Sequence, residues 1–129
     1  MARKKSKTLT EAELELMNIL WEKGEGTVQD VVDALSKRKS LAYTTVLTIL
    51  HILEKKGYLK HRKISRAFVY YPVVERDEVS RRAVKDIMQK FFDDSPELIV
   101  LSVFENEKID ADELSRLKDI IEEYEEIER

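Results

Sequence analysis

Apolar residues return every three or four positions through much of this chain, and each interruption marks where one element gives way to the next. Thr10-Glu11-Ala12-Glu13 sets a hydroxyl three residues before a carboxylate, the spacing at which the two side chains satisfy each other's unpaired backbone donors, so a helix starts there. Leu14, Met17, Leu20 and Trp21 give it one buried face, and Gly24 and Gly26 end it with residues that tolerate left-handed geometry. Thr27 and Asp30 open a short second helix striped by Val28, Val31, Val32 and Leu35. The polar run from Ser36 to Ser40 reads as a connector. In a third helix, Tyr43 to Lys56, the residues Val46, Ile49, Leu50 and Leu53 form the core stripe. That phase turns Thr44, Thr48, His51 and Lys55 to the opposite side, with Thr45 and Ile52 on its flanks. After Gly57 the period drops to two: Tyr58 to Lys63 and Ala67 to Tyr71 pair as strands around Ile64-Ser65-Arg66, and Pro72 ends the second.

The remaining residues return to helical spacing. Val79, Ala83, Val84, Ile87, Met88 and Phe91 line a long amphipathic helix that ends near Asp93-Asp94. Ser95-Pro96-Glu97 restarts the chain with a cap, a first-turn proline and an acid favoured by the helix dipole. Leu98 to Phe104 then has no polar face, and a helix that is apolar all round must be surrounded. Asp110-Ala111-Asp112-Glu113 caps a last helix striped by Leu114, Leu117, Ile121 and Tyr124 and widened by Ile120 and Ile127. Three helices in so short a stretch cannot enclose an all-apolar middle helix. A second copy of the chain is expected to complete this core through Val84, Ile87, Met88, Phe91, Leu98, Leu101, Phe104, Leu114, Leu117, Ile121 and Tyr124. The competing arrangement folds residues 74–129 back onto the first half of the same chain.

Charge sharpens this division. The 129 residues carry a formal net charge of −3, yet residues 1–73 hold 14 Lys and Arg against 8 Asp and Glu, and residues 74–129 hold 9 against 18. A basic head meets a polyanion while an acidic tail is kept off it by its own field. The absence of Cys excludes disulfides, thiolate nucleophiles and Cys-ligated metals. No apolar run approaches the roughly 20 residues needed to cross a bilayer, so a soluble cytoplasmic protein with no membrane partner is expected. Three Gly cannot build a phosphate loop. His51 and His61 lie on separate elements without ligands at metal spacing, and Glu122, Glu123, Glu125, Glu126 and Glu128 read as a solvated helix end. Neither cofactor, metal nor enzymatic activity is expected.

Three helices followed by a basic two-stranded ribbon describe a winged helix-turn-helix. The expected fold is mainly α with a small β-hairpin: a winged-helix domain over residues 1–73, including a basic arm at 1–8 that carries Arg3, Lys4, Lys5 and Lys7, then a three-helix dimerisation domain over 74–129. The helix at 43–56 is expected in the major groove and the wing at 58–72 on the phosphate backbone. Threonines are poor exposed-helix residues, but their hydroxyls and methyls lie closely against a duplex. Tyr43, Thr44, Thr45 and Thr48 are the candidates for base edges or nearby phosphates, and His51 for a groove or phosphate contact. Lys55, Lys60, Arg62, Lys63 and Arg66 are candidates for neutralising the backbone. The alternative is a protein-docking adaptor that uses the Thr stripe and Ile52.

From Leu9 to about Glu123 the chain resembles the BlaI/MecI/CopY family of winged-helix transcriptional repressors. The likeness is carried by Leu9-Thr10-Glu11-Ala12-Glu13 with Ile19-Leu20-Trp21 and Gly24, by Leu41 to Leu50, by Leu53-Glu54-Lys55-Lys56-Gly57-Tyr58-Leu59, and by Arg66-Ala67-Phe68-Val69-Tyr70-Tyr71-Pro72-Val73. The resemblance implies a homodimer on an inverted-repeat operator that represses by blocking polymerase, with Thr44, Thr45 and Thr48 on the recognition helix and Arg66 on the wing. Ser65 stands where the family often has Gly. Ser102-Val103 aligns with the Asn-Phe bond that a sensor protease cuts in the penicillinase and methicillin repressors, so that route does not carry over. Thiolate metal sensing, as in copper-responsive members, is excluded with the cysteines. How such a repressor is released stays open, an unknown inducer or protease being the candidate partners.

Overall fold

The computed structural model describes residues 8–128, so Arg3, Lys4, Lys5 and Lys7 of the expected basic arm lie outside the described residues. In order, the elements are α1 (Glu11–Lys23), β1 (Gly26–Thr27), α2 (Val28–Leu35), α3 (Tyr43–Lys56), β2 (Leu59–Ile64), β3 (Ala67–Pro72), α4 (Arg76–Phe91), α5 (Pro96–Asn106) and α6 (Ala111–Glu128). The chain divides into two compact units within α4, between Val84 and Lys85.

In the first unit, both expected capping boxes set their helices. Glu13 N–H donates to Thr10 Oγ1 at 3.1 Å and Thr10 N–H to Glu13 Oε1 at 2.9 Å. Thr27 and Asp30 repeat the exchange at 3.0 Å in both directions. Leu16, Met17 and Leu20 of α1, Val28, Val31 and Leu35 of α2, and Val46, Leu50 and Leu53 of α3 meet Tyr58, Leu59 and Tyr70 in one core. Ile49, expected among them, is half-buried at its edge. Leu14, expected to be buried, is 40% exposed. The stripe that faces inward is instead Glu13, Leu16, Met17 and Leu20, itself an i, i+3, i+4, i+7 series, and Glu13 is admitted because Lys56 Nζ donates to its Oε1 at 2.8 Å.

The sheet has three strands in the order β1-β3-β2, all antiparallel. The hairpin was legible in the sequence, but β1 was not, because two residues are too few to show a period. Gly26 pairs with Tyr70 inside this strand and does not take the left-handed geometry expected of it. Gly24 does, at φ 89°, and its N–H closes α1 on Leu20 O at 2.7 Å. Gly57 ends α3 in the same way at φ 94°, with Tyr58 N–H reaching Leu53 O at 3.0 Å. Ile64 belongs to β2 and faces Ala67, so Ser65-Arg66 alone form the wing turn, with Ser65 at φ 59° where glycine would be unstrained.

This unit also holds the start of α4, beyond the change of charge at Val73. Trp21 Nε1 donates to Val74 O at 2.9 Å, the Arg76 guanidinium lies 5.4 Å from the Trp21 ring centre and donates to Asn18 Oδ1, and Val79 packs on the core. In the second unit, Ser95 caps α5 through the N–H of Leu98, and Asp110 and Glu113 form a reciprocal box at the head of α6. Neither helix has a buried residue, so the apolar middle helix is not enclosed. Among the described residues no helix is long and apolar enough to cross a membrane.

Burial pushes the Glu13 carboxyl up, but the hydrogen bond and charge of Lys56 and the N–H of Thr10 outweigh it, so the group is held below its ordinary 4.5. A carboxyl depressed by folding contributes stability above its unfolded pKa and loses it as pH falls through the folded value. In urea at pH 7, Glu13→Gln should therefore cost about 1–3 kcal/mol by leaving Lys56 without its anion. The gap to the wild type should close as the pH falls below the ordinary carboxyl value of 4.5 and on through the lower folded value; a gap that stays constant down to strongly acid pH would contradict the ion pair.

Candidate nucleic-acid interface

Because Val46, Leu50 and Leu53 are locked into the core, the opposite face of α3 has nowhere to go but solvent. Tyr43, Thr44, Thr45, Thr48, His51, Ile52 and Lys55 are all exposed along it. Thr48 Oγ1 donates its hydroxyl proton to Thr44 O at 2.9 Å, which leaves its methyl group and oxygen lone pairs for a ligand. Ala42 precedes the helix and supplies no side-chain cap, in contrast to α1 and α2. The first-turn N–H groups of α3 therefore retain capacity for an anion at the positive end of the helix dipole.

Strand alternation sorts the wing into two faces. His61 and Lys63 share one with Phe68 and Tyr70 of β3, while Lys60 and Arg62 point to the other. On the first face His61 Nδ1 lies 2.8 and 2.9 Å from the two carboxylate oxygens of Glu54 on α3. An ionised carboxylate only accepts, so Nδ1 carries the proton. The imidazole meets Phe68 edge-on at 5.1 Å and Tyr70 at 5.3 Å, and Lys63 Nζ stands 6.0 Å over the Phe68 ring. His51 approaches Tyr70 at 6.5 Å, so both histidines border that ring. Burial raises the Tyr70 phenol above its ordinary value, and the charge of Glu54 adds to the rise. On the second face Arg62 is bound to the carboxylate of Glu25 and lies 5.4 Å from the centre of the Tyr71 ring.

The candidate residues thus fall into three groups. Tyr43, Thr44, Thr45, Thr48, His51 and Lys55 share the outer side of α3; His61 joins it through Glu54 and Tyr70, with Lys63 on the same wing face over Phe68; Lys60 and Arg62 look away, and Arg66 sits exposed in the turn. Glu54, Glu25 and Phe68 were not singled out from the sequence. Period-two spacing places His61 and Phe68 on one face, but the two carboxylates come from other elements and nothing local announces them.

An exposed third helix beside a basic two-stranded ribbon defines a winged helix-turn-helix protein. Residues 9–123 match the penicillinase repressor family, and the chain belongs to it. It is 31% identical over 121 residues to the penicillinase repressor of Bacillus licheniformis, spanning 94% of each chain. It is 36% identical over 118 residues to the transcriptional regulator BlaI of Mycobacterium tuberculosis (strain CDC 1551 / Oshkosh), which covers 91% of this chain and 85% of that one. Among solved structures it is similar to the DNA binding domain of the repressor BlaI, with a TM-score of 0.52 and 36% identity over 59% of this chain and 93% of that one. The family is one of transcriptional repressors and not of enzymes.

Proposed function

We propose that this chain represses transcription as a cytoplasmic homodimer bound to double-stranded DNA, each protomer placing α3 in the major groove of one half of an inverted-repeat operator. The observation that carries the reading is the exposed hydroxyl and methyl face of α3 beside a wing bearing Lys63 and, in its turn, Arg66. Thr44, Thr45 and Thr48 meet base edges, with the Thr48 methyl suited to a thymine methyl. Tyr43 and the open first turn of α3 meet a phosphate, His51 meets the groove wall or a phosphate, and Lys55, Lys60, Lys63 and Arg66 neutralise backbone. Family membership favours DNA over a protein ligand for this face.

The second unit supports the dimer. Phe91, Leu101, Phe104, Ile121 and Tyr124 are 75%, 51%, 43%, 59% and 65% exposed, large apolar side chains left in water on all three helices. Ile87, Leu98, Leu114 and Leu117 of the same unit are exposed too, Met88 is half-buried, and Val84, the last residue of the first unit, is exposed as well. A second copy offering the same face covers both, and the acidic tail keeps this interface off the DNA. Release falls to an inducer or a protease, and Ser102-Val103, the pair that the family resemblance sets against the Asn-Phe bond, lies within α5.

Three outcomes test this function. In gel shifts at graded salt, Arg66→Ala should weaken binding to every duplex and reduce the log–log salt slope by about 0.9; an unaltered slope removes Arg66 from the phosphates. Thr45→Ala should cost on the order of 1–3 kcal/mol at a selected operator and little on random DNA, and equal loss on both would mean that it reads no base. In sedimentation the wild type should run at twice its 15.2 kDa chain mass, and Leu101→Glu should run as a monomer that keeps the helical signal of the winged unit. A monomeric wild type defeats the dimer.

A further inference from the structure

The wing of a winged helix is a two-stranded ribbon that reaches out from the fold, and such a ribbon is weakly ordered by itself. Here it is gripped on both sides. His61 and Arg62 are neighbours on β2, so their side chains leave opposite faces of the ribbon, and each is taken by a carboxylate from the body of the same unit. On the α3 side His61 donates to both oxygens of Glu54, with Phe68 and Tyr70 against its ring. On the other side Arg62 binds Glu25, from the link between α1 and β1, while lying on Tyr71. Glu54 stands beside the surface that, under the proposed function, faces a polyanion, and Glu25 lies on the other face of the same ribbon. By charge alone they oppose binding.

We propose that Glu54–His61 and Glu25–Arg62 form a two-sided clamp that fixes the angle between wing and recognition helix, so that all four are positioning residues and Arg62 acts through Glu25 rather than on a phosphate. The clamp holds Lys63 and Arg66 where they engage the backbone when α3 is seated in the groove. Ordering the wing before binding removes a conformational cost from the DNA complex.

This inference rests on the DNA-binding reading, and the sign of one effect separates it from simple electrostatics. Glu25→Gln and Glu54→Gln each remove a negative charge, so electrostatics predicts tighter binding to a random-sequence duplex of about three helical turns. The clamp predicts weaker binding, at least about fivefold for the double variant. The thermal midpoint should move little, because exposed ion pairs contribute little to stability. The charge swap Glu25→Arg with Arg62→Glu keeps the net charge and re-forms the pair, so it should restore the wing order that Arg62→Glu alone loses; a swap that leaves the wing amides as mobile as in Arg62→Glu counts against the clamp. Amide relaxation of free protein gives a readout without DNA: β2 and β3 amides should gain fast motion in the double variant while α3 amides do not. Unchanged wing order, or affinity equal to or above wild type, overturns the clamp. If the wild type binds no duplex, the proposed function fails, and the relaxation result still decides whether the wing is clamped.

Discussion

The burial of one stripe of α3 is the constraint on which the rest of the winged unit depends. Val46, Leu50 and Leu53 are wholly inaccessible, wedged among α1, α2 and the base of the hairpin. A helix fixed along one side has no freedom to roll, so its outer residues are presented at a set angle. The Glu13–Lys56 pair secures the C-terminal end of the same helix to α1, and the Gly57 cap then turns the chain directly into β2. Recognition helix and wing are thereby consecutive in sequence and joined by two residues, the left-handed Gly57 and the buried Tyr58. Few free torsions separate the two surfaces that must act together on a duplex.

Polar groups in this unit do more than decorate it. Glu13 is buried, and it is tolerated because it closes a capping box and an interhelical pair at once. Trp21 spends its only donor on the carbonyl of Val74, which ties the exit of the sheet to α1 and carries the unit into the first turns of α4. Thr48 spends its donor on its own helix. Each choice leaves a specific residual chemistry at the surface, and on α3 that residue is methyl groups and hydroxyl lone pairs rather than long charged chains.

The helices, their caps and the hairpin were legible in the sequence because they are written in local spacing: Thr10 to Glu13, Thr27 to Asp30, Ser95-Pro96 and Asp110 to Glu113 announce four helix starts without reference to anything distant. What could not be read is what depends on partners far along the chain. Leu14 looked buried because it matched the period, whereas Leu16, Met17 and Leu20 face the core and Glu13 joins them because Lys56 neutralises it. Strand β1 is two residues long and exists only because β3 offers it an edge. The same holds at the interface. Composition and period placed Thr44, Thr45 and Thr48 on the outer face of α3, but Glu25 and Glu54 gained meaning only once folding brought Arg62 and His61 to them.

The central claim is that the threonine face of α3 is what meets the duplex. Amide chemical-shift mapping of the full chain, titrated with double-stranded DNA at low salt, tests it most directly. The account predicts that the largest changes fall on residues 43–48 and on the turn at Ser65 and Arg66, with the acidic outer faces of α1 and α2 unmoved. Changes confined to those acidic faces, or none at any DNA concentration, would contradict it.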